Sequence, residues 1–348
     1  MEKTVKQDLS RPETILNHIN GLLKFEPANP DESKGLLTVK PANKWILESS
    51  TRPKPQMLFG EFWFQDELCI LFADTNVGKS ILAVQISDSL SKGKHISGFK
   101  LEAKAQAVLL CDFELSDKQF ETRYSNNYNN HFVFSDNLQR IEINANADLK
   151  ANLSFEDYLF QSLEDVLTSS GAKILIVDNI TYLKTATETA KDALPLMKTL
   201  KALKAKYNLS ILALAHTPKR DFSKPITRND LQGSKMLINF CDAAFAIGES
   251  SEDKSLRYLK QIKARNTEII FDSENVCLCQ LSKPDNFLMF ELIGFGMERN
   301  HLRQQTDNDR ETLKEKILQL NQQGKSYREI GSELGISHMK ASRIIKGL

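Results

Sequence analysis

Four short apolar runs punctuate the middle of the chain: ELCILF (67–72), QAVLLCDF (106–113), KILIV (173–177) and LSILALA (209–215). Each is rich in Leu, Ile and Val with little polar alternation, the pattern of strands covered on both faces. Between them lie segments of helical length, Ser80–Leu90, Asp117–Tyr128, Phe155–Ser169 and Thr187–Tyr207. Alternation of this kind predicts an α/β fold, a mostly parallel sheet flanked by helices. After residue 242 strand follows strand (DAAFAIG, SLRYLKQIKA, VCLCQLS, NFLMFELI), which predicts an antiparallel extension of that sheet. The pattern divides the chain into a polar, Pro-punctuated N-terminal arm (1–50) with at most one or two short helices, a core (51–293), a linker (294–309) and a helical module (310–348). No long internal repeat is visible.

Composition narrows the picture only in part. With 348 residues, 41% hydrophobic and 26% charged, the chain can bury a sizeable core. The formal net charge of +1 leaves nucleic acid to be decided by where the charges lie. No apolar run approaches the roughly 18–20 residues of a membrane span. The start, MEKTVKQDLSRPET, has no hydrophobic signal core, so a cytoplasmic protein is expected. Cys69, Cys111, Cys241, Cys277 and Cys279 sit mostly in strand-like runs and read as buried, reduced thiols.

The segment ADTNVGKS (73–80) fits [AG]xxxxGK[ST] and stands after a buried strand and before a helix, where that motif carries meaning. Backbone N–H groups from Asn76, Val77, Gly78, Lys79 and Ser80, continuing to Ile81, can wrap a phosphate at a helix N-terminus. Lys79 supplies a full charge to the outer phosphates, and the Ser80 hydroxyl is a candidate Mg²⁺ ligand. Ala73 replaces the usual first glycine. KILIVDNI ends in Asp178, the expected carboxylate that supports the metal through water. Just past another strand end, Glu114 and Asp112 compete for the role of orienting the attacking water. His216 ends the fourth strand, where a neutral imidazole can hydrogen-bond a γ-phosphate or that water. A polar loop, Thr217–Leu231, follows, with Lys219, Arg220, Lys224 and Arg228 against Asp221 and Asp230, and then Gln232. No arginine lies in or near the phosphate loop in sequence, so the cation that neutralises the transition state is expected from elsewhere. Lys263 and Arg265, at another strand end, are the candidates.

The ordered set ADTNVGKS, CDFELS, LIVDN, LAHTPK, LQGS and IKARN resembles the RecA-type ATPase core over about residues 45–293. Within that superfamily it is most similar to the RepA-like group of hexameric replicative helicases and their mobile-element relatives. The resemblance implies ATP and Mg²⁺, Glu114 as the water-activating base, and His216 with Gln232 as γ-phosphate sensors. IKARN resembles a lysine–x–arginine finger inserted into the adjacent subunit's site, which implies a homo-oligomer, a hexameric ring. Some plasmid RepA proteins place an arginine after the LQGS equivalent; this chain has INFCDAAF there, so the finger role falls to Lys263 and Arg265 alone. The loop holding Lys219, Arg220, Lys224 and Arg228, and the one after Asp178 (Asn179, Thr181, Tyr182, Lys184), would then face a channel and contact single-stranded DNA.

The C-terminal segment SYREIGSELGISHMKASRIIKGL (326–348) reads as a helix–turn–helix similar to resolvase-type modules. Ser326 and Glu329 form a capping box, Gly335 supplies the turn and Ser337 caps the next helix. Ile330, Leu334, Ile336 and Ile344 form the small core, and Leu313, Ile317 and Leu320 of a preceding helix (310–323) give it a third face. His338, Lys340, Ser342 and Arg343 are placed to reach duplex DNA. The expected whole is a DNA-dependent, ATP-hydrolysing, helicase-like motor with a duplex-binding tail. Its rivals are a filament-forming recombination or repair ATPase and an ATP-switched transcriptional regulator.

Overall fold

The computed structural model describes residues 33–34, 37–148, 152–183, 190–218, 220–231, 234–304, 307–334, 336 and 338–346. Lys184, Lys219, Gln232, Gly335 and Ser337 lie outside them, as do residues 1–32 of the arm. The chain divides into two compact units, Met1–Pro55 and Gln56–Leu348. In the first, Ala42–Ser50 forms a helix that buries none of its residues and leaves Trp45 and Ile46 exposed.

The second unit is built on a nine-stranded sheet. In chain order its strands are β1 (Leu68–Ala73), β2 (Val108–Asp112), β3 (Leu138–Ile141), β4 (Ile174–Asp178), β5 (Ser210–His216), β6 (Ala243–Glu249), β7 (Leu256–Lys263), β8 (Val276–Ser282) and β9 (Met289–Gly296). Across the sheet they run β9-β8-β7-β6-β1-β5-β4-β2-β3. Strands β6 to β3 pair in parallel, and β7, β8 and β9 continue antiparallel from β6. Both halves of the expected α/β sheet are therefore present. The uninterrupted apolar runs have the predicted cause: β1, β2 and β4 are buried along their full length. Their two faces feed two separate hydrophobic clusters, one around Leu71, Leu82 and Phe245, the other around Phe72, Leu175 and Leu200.

Helices α1 (Lys79–Lys92), α2 (Asp117–Arg123), α3 (Phe155–Ser170), α4 (Ala190–Tyr207) and α5 (Ser234–Phe240) connect the parallel strands. Helix α2 ends earlier than its polar pattern predicts. Asn127 and Tyr128 take positive φ, and the chain turns back as a two-stranded ribbon, Ser125–Asn126 against Asn130–His131; asparagine tolerates that left-handed backbone better than most residues. Strand β3, the sheet's edge, is a short polar-rich run (LQRI) with no apolar signature to announce it. The expected linker also differs. Strand β9 runs on to Gly296, and α6 (Glu298–His301) buries Glu298 completely.

Helices α7 (Asp307–Gln322), α8 (Tyr327–Leu334) and α9 (His338–Ile345) pack around Ile317, Ile330 and Ala341, with Leu313, Leu320, Leu334, Ile336 and Ile344 against them. The Ser326–Glu329 box closes in both directions, at 2.8 and 3.4 Å. At Gly331 an added Cβ would lie 2.8 Å from the Ile336 carbonyl, so glycine is what lets the turn fold back onto α8. All five cysteines are buried and free. Among the described residues no helix is long and apolar enough to cross a membrane.

Candidate functional site

The C-terminal ends of β1, β2, β4 and β5 meet along one edge of the sheet, where the strand order reverses and open α/β sheets form their clefts. Register sets the heights. Asp178 stands opposite Asp112, and His216 opposite Ala73, the first residue of the phosphate-loop motif. Four segments far apart in sequence therefore arrive together.

The loop from Ala73 into α1 has the geometry its sequence requires. Asn76 and Gly78 both take positive φ, and Gly78 caps the helix in the left-handed region. The side chains of Val77 and Ile81 turn into the core, so their part in the loop is limited to their backbone. Lys79, only 6% exposed, points Nζ back at the Ala73 and Asp74 carbonyls, 2.9 Å each, and at His216 Nδ1, 3.1 Å. Burial lowers the Lys79 pKa against the opposing pull of Asp178, Glu114 and Asp74. The Ser80 hydroxyl hydrogen-bonds the Asp178 carboxylate, whose pKa is pushed up to about 6 by burial.

Glu114 joins the same cluster. Its carboxylate accepts from Asn179 Nδ2 and lies 3.7 Å from His216 Nε2. Asn179 Nδ2 is also 2.9 Å from His216 Nε2. The neighbouring His216 is the main reason that Glu114 is held below the usual carboxylate range. Asp112 is committed elsewhere. It accepts from the Leu115 backbone at 3.1 Å and pairs with Arg140 Nε at 2.9 Å, beneath the turn that carries Glu114. Of the two candidate carboxylates, Glu114 is the one that faces Lys79, His216 and Asn179.

These residues fit a magnesium-bound triphosphate. Mg²⁺ keeps several waters and takes few protein ligands, and one hydroxyl beside one buried carboxylate is such a set. Among the described residues there is no cluster of three or more His, Cys, Asp or Glu side chains to cage a metal without phosphate.

A protein-family model described as "AAA domain" matches residues 36–221. The chain belongs to that family. The match spans more than half of this P-loop ATPase, from before the phosphate loop to Asp221. A solved structure of a KaiC-like protein from the hyperthermophilic archaeon Pyrococcus horikoshii OT3 is 12% identical, with a TM-score of 0.42, and covers 66% of this chain and 90% of its own. No curated protein matches the sequence.

Other expectations for this ATPase are corrected by the structure. Sequence reasoning puts Arg220 on a DNA-facing loop and leaves the phosphate loop without a nearby arginine. Instead, the Arg220 side chain is 3% exposed and donates from Nε to Asp74, inside the phosphate loop, at 3.0 Å. Thr217 holds the other Asp74 oxygen. A second buried arginine, Arg257 on β7, donates to the Val77 carbonyl at 2.9 Å. Both approach from more than 140 positions away, so only the tertiary fold reveals them. Asn179, expected to face a channel, is 1% exposed and belongs to the sheet-edge cluster with Glu114 and His216, while Tyr182 is 41% exposed. Lys224 and Arg228 are exposed. The loop that carries them is pinned at Ile226, whose N–H and carbonyl are taken by Glu298 and Lys260.

Lys263 and Arg265 are not part of this chain's own cluster. They lie at the end of antiparallel β7, beside the start of β6 and so at the opposite edge of the sheet from Lys79. Lys263 Nζ donates to the Ile238 and Cys241 carbonyls at the end of α5, and Arg265 pairs with Asp242 at 3.2 Å. In the C-terminal bundle His338 and Arg343 are exposed, whereas Lys340 and Ser342 are half-buried.

Proposed function

We propose that this ATPase hydrolyses Mg²⁺-ATP as a DNA-dependent motor of the helicase-like, mobile-element replication type. The observation that supports it best is the convergence of Lys79, Ser80, Asp178, Glu114, Asn179 and His216 on one sheet edge. Glu114, ionised and aimed by Asn179, orients the attacking water and takes its proton. Lys79 exchanges its loop carbonyls for phosphate oxygens, and His216 follows the γ-phosphate; Gln232, which lies outside the described residues, is kept as the second sensor on sequence alone. A magnesium ion held by Ser80 and, through water, by Asp178 would neutralise charge on the phosphate oxygens.

DNA dependence is supported by two features. The loop after β5 carries the exposed charges Lys224 and Arg228, and Lys219 in the same stretch of sequence lies outside the described residues. Thr217 and Arg220 of this loop grip Asp74 of the phosphate loop, so a strand bound there would pull on the nucleotide site. The C-terminal bundle offers His338, Lys340, Ser342 and Arg343 on its last helix to duplex DNA. Lys263 and Arg265, remote from their own chain's site, can act as fingers only on a neighbouring copy, as in a hexameric ring.

Phosphate release by purified full-length protein, measured with and without single-stranded DNA, tests the reading, with mass measurement under the same conditions. Stimulated hydrolysis in a closed ring is the expected result. Hydrolysis that single-stranded DNA leaves unchanged, in a protein that binds duplex DNA and separates no strands, would instead favour an ATP-switched regulator. Open filaments would favour a recombination ATPase.

A further inference from the structure

The antiparallel extension grips the phosphate loop from behind, and it does so at a single peptide. Arg257 on β7 is 5% exposed and donates from Nε to the Val77 carbonyl at 2.9 Å. Its NH1 is spent on the Lys254 and Leu256 carbonyls, at 2.7 and 3.0 Å, and its NH2 faces Glu249 at 3.6 Å. On the next residue, Gly78, a Cβ would come within 2.8 Å of the Phe290 ring from β9. The Phe290 backbone is in turn fixed to α1 by the Gln85 amide, whose Nε2 donates to the Phe290 carbonyl at 3.0 Å and whose Oε1 accepts from the Phe290 N–H at 2.9 Å.

From this geometry we infer that Arg257 is a positioning residue for triphosphate binding, setting the orientation of the Val77–Gly78 peptide. The inference rests on the reading of this loop as the nucleotide cradle. In a trans peptide the carbonyl and the following N–H point in opposite directions. A guanidinium that holds the Val77 carbonyl on the β7 side therefore aims the Gly78 N–H the other way, into the loop where a phosphate oxygen is received. Gly78 sits at φ 114°, a region that glycine enters freely and leaves as freely, so the loop sequence does not hold this orientation by itself. Arg257 holds the carbonyl and Phe290 closes the space behind Gly78. With Nε and NH1 taken by carbonyls and NH2 turned toward Glu249, Arg257 acts on the nucleotide only through the loop.

The test compares Arg257→Met and Arg257→Lys in the full-length protein by steady-state hydrolysis, direct Mg²⁺-ATP titration and thermal unfolding without nucleotide. The expected result is a rise of about tenfold or more in KM and in the ATP dissociation constant for Arg257→Met, while kcat at saturating ATP stays within about threefold. A merely structural residue would lower Tm and the active fraction and leave KM alone. Arg257→Lys keeps the buried charge, and so covers the case in which Arg257→Met does not fold; it lacks the Nε donor and is expected to raise KM at least threefold. A wild-type KM in a folded variant overturns the inference. Wild-type protein that binds no Mg²⁺-ATP removes the functional reading itself, and this inference with it, a result distinct from an unchanged KM.

Discussion

Lys79 Nζ stands 3.1 Å from Nδ1 of His216, and this contact together with two loop carbonyls accounts for the three protons of the ammonium. An ammonium can only donate, so Nδ1 of His216 accepts from Lys79. Nucleotide therefore has to displace His216 as well as the carbonyls. His216→Ala is expected to leave Mg²⁺-ATP affinity within about threefold of wild type, because the lost γ-phosphate contact is offset by a freed lysine. Hydrolysis is expected to fall about a hundredfold, within the range that positioned proton-transfer and water-orienting groups contribute. Titration calorimetry beside a phosphate-release assay separates the two effects; weakened binding with intact turnover would contradict the assignment.

Glu114→Gln is the direct test of the base. Binding is expected to persist while hydrolysis drops by about 10²–10⁴. Asp112→Asn gives the contrast. It breaks the pair with Arg140, half of the support under the Glu114 turn, and is expected to lower thermal stability as well as turnover. Since its pKa is already held low by His216, Glu114 stays ionised throughout the neutral range. Its protonation should therefore produce no acid limb in the hydrolysis profile above about pH 5. An apparent pKa between 6 and 8 that disappears in Glu114→Gln would exclude Glu114 as an ionised base.

How much of this was legible in the chain depends on the range of the interactions. The doubly buried strands announce themselves because a segment covered on both faces has to be apolar at every position. The phosphate loop, Asp178, Glu114 and His216 are legible because each sits at the end of such a strand, and the parallel register brings those ends level. Arg220 and Arg257 carry no comparable signal. Their partners, Asp74 and Val77, are remote in sequence, and a buried arginine looks no different from an exposed one until its acceptor is known. Asn179 follows Asp178 directly, yet which way it faces depends on Glu114 and His216. Strand β3 escaped notice because an edge strand needs only one neighbour and can be polar.

Stability should fall as pH rises from about 4.5 to about 7 because of Glu67. Its carboxyl is 2% exposed and its pKa is pushed up to about 7, chiefly by burial, although it accepts from the Phe64 N–H and from Asn266. The folded state holds this proton more tightly than the unfolded chain does. The contribution is therefore fully present below the unfolded value near 4.5 and is lost as pH rises to about 7. The total is on the order of 3 kcal/mol. Glu67→Gln is expected to flatten the decline in denaturant midpoint between pH 5 and pH 8. A decline of the same size in the variant would assign the effect to other groups.

The loop after β5 depends on a buried ion pair. Lys260 and Glu298 meet at 2.5 Å, both nearly excluded from solvent, and share Ser273. Together they take the N–H and the carbonyl of Ile226, at 2.6 and 2.7 Å, and Tyr258 adds a weaker bond to Glu298 at 3.3 Å. Glu298→Ala leaves the lysine buried without its carboxylate, and such a break costs about 3–5 kcal/mol. Glu298→Gln retains an acceptor and should cost less. In the alanine variant, amide exchange is expected to speed up first at Ile226 and its neighbours, because their backbone loses its anchor while the Arg220–Asp74 contact still holds the loop's start. Uniform acceleration across the sheet, with no excess at Ile226, would mean that the pair serves the core as a whole and not this loop.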